Sequence, residues 1–249
     1  MKYVKILFLN LGLLMLYFPV AYAKTQNEVQ ELISRHLDAS GGVEALMSMR
    51  SITRVGNIYF INDQEEYQLC YRTDLIYPNM LREQLKEEAI FIDRGTDGQT
   101  FWLWTGHEYE TTQDPGIIAY MVSTAERANR DMVWILDEAE QYQITDTPTW
   151  APQKSACIKE IAPQDETNRT YCFDPQSGLV NVYGSDDHHR ILSDWRSVSN
   201  VKIPFYLSDY ENGKQRMKIQ LEYALLNLTF METHFQKPDA PQAGCVTMY

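Results

Sequence analysis

The sequence predicts an α+β fold dominated by antiparallel strands: a curved sheet of about ten or eleven strands that forms an incomplete (half) β-barrel covered by helices. Three observations predict it. From Ser51 onward apolar and polar residues alternate with period two. Turn signals such as Asp97-Gly98 and Asp174-Pro175 recur at short spacing, which makes neighbouring strands antiparallel. Helical patterning is confined to the N-terminal region and to residues 116–142. A sheet of that size does not stay flat, and curling around helices gives it a concave apolar face.

The elements follow in order. In NEVQELISRHLDASGG, Val29, Leu32, Ile33 and Leu37 recur at helical spacing; Gly41-Gly42 ends the helix and Val43 to Met49 restarts it briefly. Strands are expected at Thr53–Phe60, in QEEYQLCYR, and at Met80–Leu85, Ala89–Arg94 and Phe101–Thr105. Tyr67, Leu69 and Tyr71 share one face of their strand, and Gln68, Cys70 and Arg72 share the other. Residues 116–142 hold neither Pro nor Gly after Gly116 and read as one or two helices with Ile117, Tyr120, Met121, Val133, Leu136 and Tyr142 available for an apolar face. Strands resume at Ala156–Ala162, Thr170–Phe173, Leu179–Tyr183, Arg190–Ser197, Lys202–Tyr210 and Lys214–Leu226. In the last of these Met217, Ile219, Leu221, Tyr223 and Leu225 alternate with polar residues and Ala224.

Residues 1–23 stand apart from the fold. Lys2 and Lys5 precede an apolar run from Ile6 to Val20, and Ala21-Tyr22-Ala23 is a small-x-small cleavage site. They read as a cleaved secretory signal of an exported protein. The alternative, an uncleaved anchor, is disfavoured by Pro19 and by the Ala-Tyr-Ala end. Residues 24–249 then form a single domain, with no linker, charge block or repeat to divide it and a tail beyond about residue 238. The formal net charge is −12, and −14 once the segment with its two lysines and no acid is removed. With no basic stripe to offset that charge, nucleic acid is excluded as a partner.

Export makes the four cysteines candidates for disulfides. Cys157 and Cys172 flank a hairpin with its turn near Asp165, which sets them opposite each other. Cys70 and Cys245 remain, either paired or with Cys245 free in the tail. No two cysteines have zinc-ligand spacing. The most metal-like stretch is GSDDHHR, residues 184–190. Adjacent His188 and His189 point to opposite faces of an extended strand, so the pair cannot chelate one ion, and a solvated turn is the expectation. No metal or other cofactor is expected. There is no Gly-x-Ser-x-Gly elbow, His-Glu-x-x-His pair or phosphate loop, and the sequence predicts no enzyme; a carboxylate dyad without a sequence signature is the one catalytic alternative.

Five stretches resemble, in order, the periplasmic outer-membrane lipoprotein-sorting proteins of the LolA/LolB-like superfamily: ASGGVEALMSMRSI, TDGQTFWLW, YCFDPQSGLVNVY, DWRSVSNVKIPFYLSDYENGK and LNLTFMETHFQKP. Ser199-Asn200 stands where the family has Asp-Gly, and Ser177 where Thr is common. The resemblance implies a curved antiparallel sheet whose hydrophobic cavity, closed by helices, holds lipid or lipoprotein acyl chains. It also implies periplasmic location and a membrane-protein donor or acceptor; a monomer is expected. The residues expected to line the cavity are Tyr67, Leu69, Tyr71, Leu81, Trp102, Trp104, Met121, Trp195, Phe205, Leu207, Ile219, Leu221 and Tyr223. For Trp102 and Trp104, for Tyr67, Leu69 and Tyr71, and for Phe205 and Leu207, ordinary core packing beneath a helix is the favoured alternative. The helices of residues 116–142, with Met121 and Met132, are the expected lid. A ligand-free interaction domain on the same scaffold is the rival, distinguished by a filled core and an exposed apolar patch.

Overall fold

The computed structural model describes residues 26–63, 65–87, 90–126, 131–161 and 169–240. The signal segment, the turn near Asp165 and Cys245 lie outside the described residues. Among those described, no helix is long and apolar enough to cross a membrane.

The N-terminal helix α1 covers residues 26–39, and α2 spans Val43–Ser48. Six strands follow: β1 Ser51–Ile61, β2 Glu66–Ile76, β3 Met80–Glu87, β4 Ile90–Thr96, β5 Phe101–Trp104 and β6 Tyr109–Thr112. Helices α3, Pro115–Glu126, and α4, Asp131–Asp137, lead through a 3-10 turn to seven more. These are β7 Tyr142–Thr145, β8 Ala156–Glu160, β9 Thr170–Phe173, β10 Val180–Gly184, β11 His188–Val198, β12 Val201–Glu211 and β13 Lys214–Leu226.

Among the described residues all thirteen strands form one antiparallel sheet in the order β6-β5-β4-β3-β2-β1-β13-β12-β11-β10-β9-β8-β7. It is a curved open sheet with helices, as the sequence predicts, and it is not closed into a barrel. The order has a direct consequence for the helices. The first six strands meander outward from β1 to one edge, and the last seven meander inward from the other edge to β13, beside β1. The α3–α4 segment joins β6 to β7, so it must carry the chain from one edge of the sheet to the other. Two strands exceed the sequence expectation, β6 and β7. Both are four residues long and sit at the edges, too short and too polar to show a period.

One large core cluster gathers Val29, Ile33 and Leu37 of α1, Leu81 and Leu85 of β3, Ile203, Phe205 and Leu207 of β12, and Met132, Val133 and Ile135 of α4. This defines the inner face. On it, β13 departs from the simple alternation read in its sequence. Val55 pairs with Tyr223 but Gly56 with Leu221, a bulge that shifts the register by one residue. A one-residue shift exchanges faces. Ile219, Leu221, Ala224 and Leu226 therefore belong to the core, while Leu225 is exposed and Tyr223 lies outside the cluster. Gly56 permits this close approach: a Cβ there would sit 2.1 Å from the Gln220 carbonyl oxygen.

At the far end of the sheet, α1 is fastened to the β9–β10 hairpin. Asp174 Oδ1 accepts from the Ser177 N–H at 2.7 Å and the Gln176 N–H at 3.1 Å, which builds the Asp-Pro turn. Arg35 Nη2 donates to the Pro175 and Gln176 carbonyls, and His36 Nδ1 accepts the Val180 N–H at 3.1 Å. Cys157 and Cys172 form a disulfide across β8 and β9, where the two residues are register partners. Cys70 is disulfide-bonded as well.

Candidate functional site

The inner face is where most of the predicted cavity residues meet. Leu69, Tyr71, Leu81, Phe205, Leu207, Ile219 and Leu221 are buried members of the core cluster, and Met121 and Trp195 pack against it. Four residues do not join them. Tyr67 continues the Leu69–Tyr71 row but is 44% exposed at the strand end. Tyr223 is displaced by the bulge. Trp102 and Trp104 do share one face of β5, yet it is the other face of the sheet: both pack on Tyr109, and the Trp102 indole N–H donates to the Phe235 carbonyl at 3.0 Å.

The helices complete the inner face. α3 packs over β3 and contributes Met121 and Val122; α4 contributes Met132, Val133, Ile135 and Leu136. Their other sides expose Ile117, Tyr120 and Trp134. A cleft of about 460 Å³ opens at the α3 end, between that helix and the turns that close β2–β3 and β4–β5. Pro78, Asn79, Gly98, Gln99 and Gln113 line it opposite Pro115, Ile118, Ala119 and Val122 of α3. None of these residues carries a carboxylate, thiol or imidazole. A cleft so lined offers apolar contact and neutral hydrogen bonding, with no acid, base or nucleophile.

The inner face also carries polar groups. Thr73 donates to the Tyr71 hydroxyl at 2.8 Å, and burial raises the Tyr71 pKa. Arg190 makes a two-pronged ion pair with Asp209, its Nη2 2.6 Å from Oδ2, and reaches the Tyr183 hydroxyl at 3.4 Å. Burial opposes the Arg190 charge, but Tyr183 and Asp209 outweigh it and hold the guanidinium protonated.

The outer face of β1 to β6 is different in kind and was not foreseen from the sequence. The chain after β13 returns across it. Arg82, 3% exposed, pairs with fully buried Asp93 through Nε at 3.1 Å and Nη2 at 2.9 Å, and donates to the His234 carbonyl. The Tyr109 hydroxyl donates to the same carboxylate at 2.9 Å. Asp74 gathers Arg72 at 2.9 Å, the Thr53 hydroxyl at 2.7 Å and His234 Nε2 at 2.8 Å. Burial pushes the Asp74 pKa up, but hydrogen bonds from His234 and Arg72 prevail and lower it.

The metal-like stretch is taken up by packing. The His189 ring is stacked between Trp150 at 4.8 Å and Tyr210 at 5.0 Å, and burial lowers its pKa. Asp186 accepts the Trp150 indole N–H at 2.8 Å, and His188 is exposed beside Glu211. Among the described residues no three His, Cys, Asp or Glu side chains are grouped to hold a metal.

No protein-family model matches the sequence, and no curated protein is similar to it in sequence. Solved structures share its fold. A DUF1329 family protein from Desulfovibrio piger superposes with a TM-score of 0.55 at 6% identity, covering 85% of this chain and 97% of that one. A LolA superfamily protein from Nitrosomonas europaea gives 0.54 at 10% identity, over 84% of this chain and 97% of that one. At such identities the likeness is one of fold.

Proposed function

We propose that this protein is an exported binding or carrier protein of the periplasm that holds lipid or lipoprotein acyl chains against the inner face of its sheet, under α3 and α4. The observation that carries the reading is the topology. Two short helices, tied to the sheet at its opposite edges, are the cover over an apolar concave face. An acyl chain entering there replaces side-chain contacts of α3 and α4 with contacts of the same chemistry. Each CH₂ removed from water contributes about 0.8 kcal/mol, so a long chain offsets the burial lost when a helix lifts. Met121 and Met132 on the inner sides of the helices suit cargo of variable shape. The protein works by binding without catalysis, as a monomer of one domain, residues 24–249, after removal of the signal. It receives cargo from a membrane-protein donor and yields it to an acceptor.

Native mass spectrometry of the mature chain, purified from a cell envelope without detergent, tests this. The expected result is a discrete adduct that extracts into organic solvent and identifies the lipid. A clean mass, together with no uptake of a fluorescent fatty-acid probe, counts against it.

A second reading has its own support. Ile117, Tyr120 and Trp134 are 42%, 65% and 52% exposed on α3 and α4. That is the pattern of an envelope interaction domain that uses the scaffold without a ligand. Under this reading the mass stays clean and a protein partner protects α3 and α4 from proteolysis.

A further inference from the structure

The cleft beside α3 has a chemistry more specific than the inner face behind it. Its floor is apolar. Pro115, Ile118, Ala119 and Val122 recur at the three- and four-residue spacing that aligns one side of a helix. Ile118 and Val122 are 8% and 5% exposed, and Val122 also belongs to the core cluster, so the floor is continuous with the inner face. Its mouth is polar: Asn79, Gln99 and Gln113 are exposed there and contribute three carboxamides. A carboxamide both donates and accepts hydrogen bonds and carries no charge.

The absence of charge among the lining residues is notable in a chain with 34 acidic and 22 basic residues. Two carboxylates come close in sequence, Asp97 and Asp114, and both are engaged in their own turns. Asp97 Oδ1 accepts the Gln99 and Thr100 N–H groups at 2.9 and 2.8 Å, and Asp114 Oδ1 accepts the Gly116 N–H at 2.8 Å. Asn79 is held in place by the turn it faces. Gly98 has φ +89°, and a Cβ there would lie 2.4 Å from Asn79 Nδ2, so the amide lies against a position that only glycine can occupy.

Resting on the carrier reading, we infer that this cleft is the head-group site of the cargo, and that it takes a neutral amphiphile. Such a ligand has a single uncharged head with hydroxyl, ester or amide groups on a hydrocarbon chain. The head meets Asn79, Gln99 and Gln113 at the mouth, and the chain runs over Ile118 and Val122 toward the inner face. A volume of about 460 Å³ is within the usual range of small-ligand sites. A carboxylate head loses its hydration at the mouth without gaining a cationic partner. An ammonium head likewise meets no anionic side chain among the lining residues.

The test uses three probes with the same chain, 1-monooleoylglycerol, oleate and oleylamine, titrated into the mature protein below their aggregation concentrations. The expected result is tighter binding of the glycerol ester by about tenfold or more over either charged probe. Ala119→Trp, and Gln99→Trp from the opposite wall, fill the cleft from exposed positions; each is expected to weaken the glycerol ester about tenfold or more with an unchanged melting temperature. Equal binding of all three probes, preference for a charged one, or wild-type affinity in both variants overturns the head-group site and leaves the carrier reading intact. Binding of none of the three overturns both.

Discussion

The two faces of the sheet are held by different forces. On the inner face, α3 and α4 meet the strands through aliphatic and aromatic side chains, contacts that are non-directional and replaceable by any hydrocarbon. On the outer face of β1 to β6, the segment around His234 and Phe235 is fixed by directed bonds, Arg82 to the His234 carbonyl, Trp102 to the Phe235 carbonyl and His234 to Asp74, with Arg82 itself paired to buried Asp93. Charges this deeply buried are costly to separate. The contrast teaches where the molecule can open. Helix α3 or α4 exchanges one apolar neighbour for another, whereas the C-terminal segment leaves only by giving up directed hydrogen bonds to Arg82, Trp102 and Asp74.

The largest expected effect breaks the outer face. Arg82→Met removes the cation and leaves the Asp93 carboxylate buried, which is expected to cost about 3–5 kcal/mol in chemical denaturation. Arg82→Met with Asp93→Leu should recover a large part of that loss. If the single variant is as stable as wild type, the outer face is not held as described.

Next comes the seam that fastens α1. His36 is buried as the neutral ring, accepting from the Val180 N–H, and burial lowers its pKa from 6.5 to about 4. A base whose folded pKa is depressed binds its proton more readily when unfolded. Its contribution is therefore intact above about pH 6.5 and lost progressively between about pH 6.5 and 4. The full loss amounts to about 3 kcal/mol. His36→Asn should flatten that part of the pH–stability curve measured by urea titration; an unchanged slope contradicts the assignment.

The smallest effect sharpens the contrast from the inner side. Leu207→Met keeps volume and hydrophobicity in the core cluster and is expected to cost less than about 1.5 kcal/mol. A loss as large as that of Arg82→Met would mean that the inner face is as exacting as the outer one.

Much of this architecture was legible in the sequence. Period two in QEEYQLCYR put Leu69 and Tyr71 on one face of their strand, and the hairpin spacing set Cys157 opposite Cys172. The helical pattern after Gly116 corresponds to α3 and α4. What escaped has physical reasons. Alternation tells which residues share a face but not which face it is, so Trp102 and Trp104 were grouped with the inner residues. A bulge leaves no mark on composition, and that at Gly56 moved Tyr223 and Leu225 out of the row that Ile219 and Leu221 begin. The Arg82–Asp93 and His234–Asp74 pairs join residues 11 and 160 positions apart, and the second depends on the path of a segment without regular strand or helix pattern. The stacking of His189 between Trp150 and Tyr210 likewise depends on a loop.

The most direct measurement is hydrogen exchange of the mature protein, empty and saturated with oleate or 1-monooleoylglycerol, whichever binds more tightly. The account predicts a change in amide protection within residues 115–122 and 132–137 of α3 and α4. It predicts none at Arg82, Asp93 and Trp102 or in the segment Glu232–Phe235. Unaltered exchange in both helices, or a change confined to the outer face, would contradict it.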